Sequence, residues 1–280
     1  MTPYQPAGAQ RPNARALLSK VPEVTIFFWV IKVLCTTVGE TFADFINGRL
    51  GDNLNTTTAV MSVLLVVALI VQFRACTYVP AIYWVTVVLI SVVGTLMTDN
   101  LVEHFSWSLT RSTIVFGIAM LATFAIWFAI ERTLSIHSIF TFRREAFYWL
   151  AILFTFALGT AAGDLIAEKY SLGYFRSMLL FAGLIAVVAV AHLKFGLNAI
   201  LAFWIAYVLT RPLGASIGDL LSQPRHIADG ADPAAFQAGL GLGTTVTSLI
   251  FLAAIVAVVV YMTNLERSGP TSAPSDAGAT

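Results

Sequence analysis

Four aspartates recur at one position in this chain of 280 residues: Asp44, Asp99, Asp164 and Asp219. Each belongs to the same spelled-out pattern of Trp, nine residues, Gly, three residues, a small residue, then Asp. The copies run Trp29–Gly39–Ala43–Asp44, Trp84–Gly94–Thr98–Asp99, Trp149–Gly159–Gly163–Asp164 and Trp204–Gly214–Gly218–Asp219. Four residues before the Asp, one helical turn away, stand Glu40, Thr95 and Thr160, while the fourth copy has Ala215. Four residues after Asp99 and Asp164 come Glu103 and Glu168. Carboxylate and hydroxyl oxygens without clustered Cys or His favour a hard cation such as Mg²⁺, Mn²⁺ or Ca²⁺ over zinc or copper. Asp44, Asp99, Asp164 and Asp219 are thus candidate ligands of one cation, whose binding would compete with protons. A rival reading has each Asp hydrogen-bond the backbone of a neighbouring helix end and only lock the packing, and a third has them simply sit in solvated headgroups.

Two basic residues interrupt otherwise apolar runs. Arg211 lies eight residues before Asp219, roughly 12 Å deeper along a helix, so it cannot pair with that Asp. It is expected to be buried, reaching an acid on another helix or a substrate, with Pro212 beside it as a kink or hinge. Lys32 is expected to snorkel towards a membrane interface. The same role at the interface is expected of the four tryptophans, as anchors, with a packed ring or inner gate as the alternative. His104, His137, His192 and His226 show no ligand spacing, and no nucleophile elbow, phosphate loop or zinc-protease helix occurs. An enzyme, a resident cofactor and a nucleic-acid partner are not expected.

These residues need elements to hold them, and composition says which. Apolar residues make up 58% of the chain and charged residues 11%, with a mean hydropathy of +0.82. A soluble domain carries about 25% charged residues. Eight apolar runs, at about 24–46, 57–74, 79–101, 112–132, 144–167, 175–193, 198–221 and 243–264, have the length of a spanning helix. The alternating ten-residue segments of a β-barrel are absent. The fold class is therefore all-α, a polytopic membrane protein of about eight transmembrane helices. The Trp starts are offset by 55, 65 and 55 residues, so each repeat holds two spans and the four signature helices cross in one direction. The Gly and the small residue four positions later make a ridge that admits a neighbouring backbone closely. The repeats fall at about 21–75, 76–132, 141–194 and 195–265, with a joint over 132–145. Residues 1–20 and 266–280 read as flexible tails, and 222–242, with Asp229, Asp232 and Pro233, as the longest loop. Pro22 and Pro80 are expected to open helices, and Thr56 to Thr58 to cap one. Cys35 and Cys76 fall too far apart in this plan to pair.

With the N-terminus inside, Arg11, Arg15, Lys20, Arg74, Arg132, Arg143, Arg144, Lys194 and Arg267 lie on the cytoplasmic side. Arg49, Arg111, Lys169, Arg176 and Arg225 lie outside. Nine against five follows the positive-inside bias and places both termini in the cytoplasm.

The fourfold Trp-x9-Gly-x4-Asp pattern resembles a family of bacterial integral membrane proteins made of four tandem two-helix repeats. Each repeat of that family bears a signature Trp, matched here by Trp29, Trp84, Trp149 and Trp204 over about residues 21–265. The family is known as a repeat of unknown function. The resemblance implies a bacterial inner-membrane location and eight spans, and it supplies no substrate or catalytic residue. The expected function is a transporter of a Mn/Mg-like cation or a small solute, seated in the lipid bilayer. The alternative is a non-transporting scaffold or sensor.

Overall fold

The computed structural model describes residues 20–225 and 239–267, the last three of these by backbone alone. Residues 1–19, residues 226–238 with His226, Asp229, Asp232 and Pro233, and residues 268–280 lie outside the described residues. Eight long helices follow one another: α1 (Ile26–Arg49), α2 (Leu54–Arg74), α3 (Pro80–Asp99), α4 (Leu109–Glu131), α5 (Phe142–Asp164), α6 (Tyr174–Phe195), α7 (Ala199–Ser222) and α8 (Gly243–Arg267). All eight are long and apolar enough to cross a membrane, and no strand occurs among the described residues. The chain is an α-helical polytopic membrane protein of four two-helix repeats.

Local chemistry sets the helix starts. Side-chain oxygens of Thr25, Asn53, Ser108, Thr141 and Asn198 accept from free backbone N–H groups at the starts of α1, α2, α4, α5 and α7. Pro80 opens α3, where its missing N–H costs nothing. Two expectations are corrected here. α1 begins at Ile26 behind Thr25, so Pro22 precedes the helix. α2 is capped by Asn53, not by Thr56 to Thr58, because the Asn53 Oδ1 accepts from Thr56 N at 3.1 Å.

The signature helices α1, α3, α5 and α7 form a closed central ring, each touching its two neighbours in that cycle. The second helix of each repeat packs on the signature helix of the next one, α2 on α3, α4 on α5 and α6 on α7, and α8 closes the cycle on α1. Buried shares of the most apolar stretches are 61, 67, 56 and 50% in the ring and 17, 17, 6 and 17% in the second helices. The second helices therefore give their apolar faces to lipid. The joint after α4 is pinned by Glu131, which accepts from Arg143 at 2.5 Å and Arg144 at 2.6 Å. Cys35 is buried, Cys76 exposed, and both are free.

Glycine fixes how closely the ring closes. A Cβ on Gly39 would collide with Ser91, on Gly94 with Phe156, on Gly159 with Arg211, and on Gly214 with Thr36. In every case the residue received lies seven positions after its own Trp. The ridge is thus one interface used four times around a pseudo-fourfold axis.

Tryptophan works differently from the interfacial anchor expected of it. Trp84, Trp149 and Trp204 are buried and Trp29 is half-buried. The aromatic residue just before each Trp packs on the Trp of the next copy: Phe28 on Trp84 at 5.7 Å, Tyr83 on Trp149 at 5.5 Å, Tyr148 on Trp204 at 6.2 Å, and Phe203 on Trp29 at 5.6 Å between ring centroids. These pairs close an aromatic layer across the Trp end of the ring, because aromatic faces and edges reward contact that lipid cannot supply with the same geometry.

Candidate functional site

Along each signature helix, the positions 3, 7, 11, 15 and 19 residues after the Trp share one stripe, since steps of three and four return to the same face. In the ring this stripe holds the axis.

The layer 15 residues after the Trp carries the four aspartates. All of them, from four different repeats, line one cavity of about 210 Å³ together with Glu40, Glu103 and Glu168. Asp44 is exposed at its mouth, Asp99 and Asp164 are half-buried, and Asp219 is buried. Asn47, Thr98 and Gln223 add neutral polar groups to the wall. Among the described residues no hydrogen bond or ion pair reaches any of the four Asp carboxylates. No three Cys, His, Asp or Glu side chains among the described residues stand close enough to grip a bare metal ion together. The carboxylates ring a space without closing on a point.

π-helical turns follow Asp99 and Asp164, at Asn100–His104 and Leu165–Lys169. Such turns are rare and favour functional sites. They carry Glu103 and Glu168 to the mouth of the cavity, and Glu168 accepts from the Tyr174 hydroxyl at 3.2 Å. These two turns are invisible to spacing alone, since the sequence there reads as plain helix.

One turn deeper stand Glu40, Thr95 and Thr160, and here the ring is filled by Arg211. The Arg211 side chain is completely buried. Its Nη2 donates to Glu40 Oε2 at 2.7 Å and to Thr160 Oγ1 at 2.7 Å, and it also contacts Thr95 Oγ1. Its Nη1 donates to the Thr36 carbonyl at 2.9 Å. Glu40 therefore serves two layers, as counter-ion to Arg211 and as part of the cavity floor. α7 runs on through Pro212 as one helix from Ala199 to Ser222. Pro212 leaves the backbone carbonyl one turn earlier without its usual donor.

Below Arg211 lies Lys32, and its snorkelling is overturned. Lys32 is fully buried, with its ammonium over the rings of Phe156 at 4.0 Å and Tyr207 at 4.1 Å. No hydrogen-bond acceptor reaches its Nζ among the described residues. Lys32 is three residues after Trp29, on the stripe of Glu40 and Asp44, and that register was the signal for an axial position. The Tyr83 and Tyr148 hydroxyls meet at 2.5 Å in the aromatic layer beneath.

Lys20, at the end of the expected flexible tail, is also corrected. It is buried against the Trp end, donating to Glu145 at 2.8 Å and to the Phe73 carbonyl at 3.1 Å. Gln72 donates to the other oxygen of Glu145 at 3.0 Å. The axis is thus open at the Asp end and closed at the Trp end.

A larger cavity of about 620 Å³ lies off this axis between α1, α6 and α7, against Trp29, Ile185 and Phe203. Its lining is apolar apart from Ser135, His137 and His192, and it has no carboxylate. The four Asp carboxylates all line the smaller one.

No curated protein and no solved structure is detectably similar to the chain. The family model described as Repeat of Unknown Function (DUF347) matches four times, at residues 27–78, 82–133, 147–196 and 202–268, each match starting two residues before a signature Trp. The chain therefore belongs to the DUF347 family, with all four copies of the repeat arranged around one axis.

Proposed function

We propose that this protein is a transporter of the bacterial inner membrane that takes a hard divalent cation of the Mg²⁺ or Mn²⁺ class, or a small cationic solute, into the carboxylate cavity. In this reading both termini are cytoplasmic and the Asp end faces outward. The observation that carries it is the convergence of Asp44, Asp99, Asp164 and Asp219 on one cavity without a protein partner among the described residues. A scaffold that used the aspartates to lock helix ends would spend their oxygens on neighbouring backbone. Charged groups inside membrane bundles ordinarily face a pathway or one another, and the six carboxylates that line this cavity beside the Arg211-paired Glu40 concentrate cations there. Mg²⁺ keeps several of its waters and takes only one or two carboxylates directly. A roomy acidic ring suits it better than a tight cage would. No bond is made or broken in this reading, and no cofactor is invoked.

The test is uptake of Mn²⁺ and Mg²⁺ into proteoliposomes holding the purified chain. Transport predicts influx that the wild type supports and Asp99→Asn lowers. Empty-liposome rates for the wild type would leave the scaffold or sensor as the better account.

A further inference from the structure

The Arg211 guanidinium is held in an unusual way. A guanidinium carries five N–H donors in a fixed fork, two on each terminal nitrogen and one on Nε. Here Nη2, with two hydrogens, faces three oxygens, Glu40 Oε2, Thr95 Oγ1 and Thr160 Oγ1. Meanwhile the Nε–H is buried without an acceptor among the described residues. A pocket shaped for arginine would match the fork. This one gathers three oxygens around Nη2, gives Nη1 the Thr36 carbonyl and leaves Nε unused. The three oxygens come from three different repeats at one register, 11 residues after the Trp, so the fourfold axis itself sets their convergence.

We infer that Glu40, Thr95 and Thr160, with the Thr36 carbonyl, form a second cation site on the axis, and that Arg211 is a tethered occupant of it. The site is for a small cation of single charge, an alkali-metal ion or an ammonium group. Its ligands are all oxygen, which excludes soft metals. Only one of them, Glu40, is a carboxylate, so Arg211 balances it charge for charge. A divalent ion there would leave an unbalanced charge in the buried core of the ring. Displaced outward by one turn, the guanidinium would meet Asp164 and Asp219 at the cavity. Pro212, which interrupts the backbone ladder of α7 next to Arg211, is where that helix can yield. The inference rests on the transport reading only for its role, as the seat of a coupling cation beneath the divalent one.

The experiment is the melting temperature of the purified full chain in sodium, potassium, methylammonium or choline chloride at fixed ionic strength. Choline serves as the cation too large to enter. In the wild type Arg211 fills the site, and the four salts should give equal values. Arg211→Met should melt about 3 °C higher in at least one small-cation salt than in choline. Arg211→Met/Glu40→Gln should lose that difference. Equal melting of Arg211→Met in all four salts overturns the inference. Where Arg211→Met folds in a small-cation salt and not in choline, the inference is supported directly. Should it fold in none, Arg211→Gln decides: its shorter, uncharged side chain brings no cation of its own to the oxygens, so a rise specific to a small cation supports the site and equal melting overturns it. Divalent response of the wild type alongside a cation-blind Arg211→Met would defeat this site and spare the carboxylate cavity. The reverse pair of results would defeat the cavity reading and spare this site.

Discussion

Gly159 of α5 receives the Cβ and Cγ of Arg211 from α7 in the space where a side chain of its own would stand. The most polar residue of the core is therefore seated by the least bulky residue of its neighbour. Gly159→Ala should push Arg211 off its oxygens and destabilise the fold by about 1–3 kcal/mol, as overpacking does. Gly183, on the exposed face of α6, meets nothing within 4 Å. Gly183→Ala should be neutral or stabilise by about 0.5–1 kcal/mol through helix propensity. Melting temperatures of the two variants check this, and equal losses would mean that the ridge does not set the ring.

Lys32 gives a prediction of opposite sign. Its ammonium has two ring faces and no acceptor among the described residues. Ring contacts return about 2 kcal/mol when desolvated, less than the several kcal/mol that burying an ammonium costs. Lys32→Met keeps the length, removes the charge and strands no partner, so it should raise the melting temperature by about 2–4 °C. A lower melting temperature would show that the ammonium is needed for the fold.

Lys20 and Glu145 form the buried ion pair at the Trp end. Lys20→Met leaves the Glu145 carboxylate buried with Gln72 as its main donor and should cost about 3–5 kcal/mol. Lys20→Met/Glu145→Gln removes the stranded charge and should regain most of that loss. Chemical denaturation of the single and double variants checks the pair, and additive losses would contradict it.

Much of this arrangement was legible because the chain states it four times. One Trp, one Gly or one Asp in an apolar helix says little, but four at fixed register define a face, a ridge and a ring. The convergence of Asp44, Asp99, Asp164 and Asp219 follows from that register once the helices are parallel. Arg211 could be placed in the bundle because no acid lay within reach on its own helix. Lys32 was misplaced because its length allows snorkelling, although its position on the stripe of Glu40 and Asp44 pointed to the axis. The tryptophans take the packed ring that was the alternative to anchoring at the interface. Tryptophan near a helix end has a ready interfacial role, and the aromatic residue before each one, Phe28, Tyr83, Tyr148 and Phe203, was the overlooked partner. The packing of α2 on α3, and of α8 on α1, has no local signature. Neighbours in sequence pair first by default, and only the closed ring makes the next repeat the better surface.

Cation transport through this cavity requires the four aspartates to act as one cation site. Asp44→Asn, Asp99→Asn, Asp164→Asn and Asp219→Asn keep the shape of each side chain and remove its charge. The direct measurement is the melting temperature of the purified wild type and these four variants with and without Mn²⁺ or Mg²⁺. A ligand that binds only the folded chain raises its melting temperature, so the wild type should gain stability from at least one of the two ions. Each Asn variant should fold and lose most of that gain, with paired substitutions less than additive because the carboxylates share the ion. A wild type that neither ion stabilises, beside Asn variants that merely melt earlier, would contradict it.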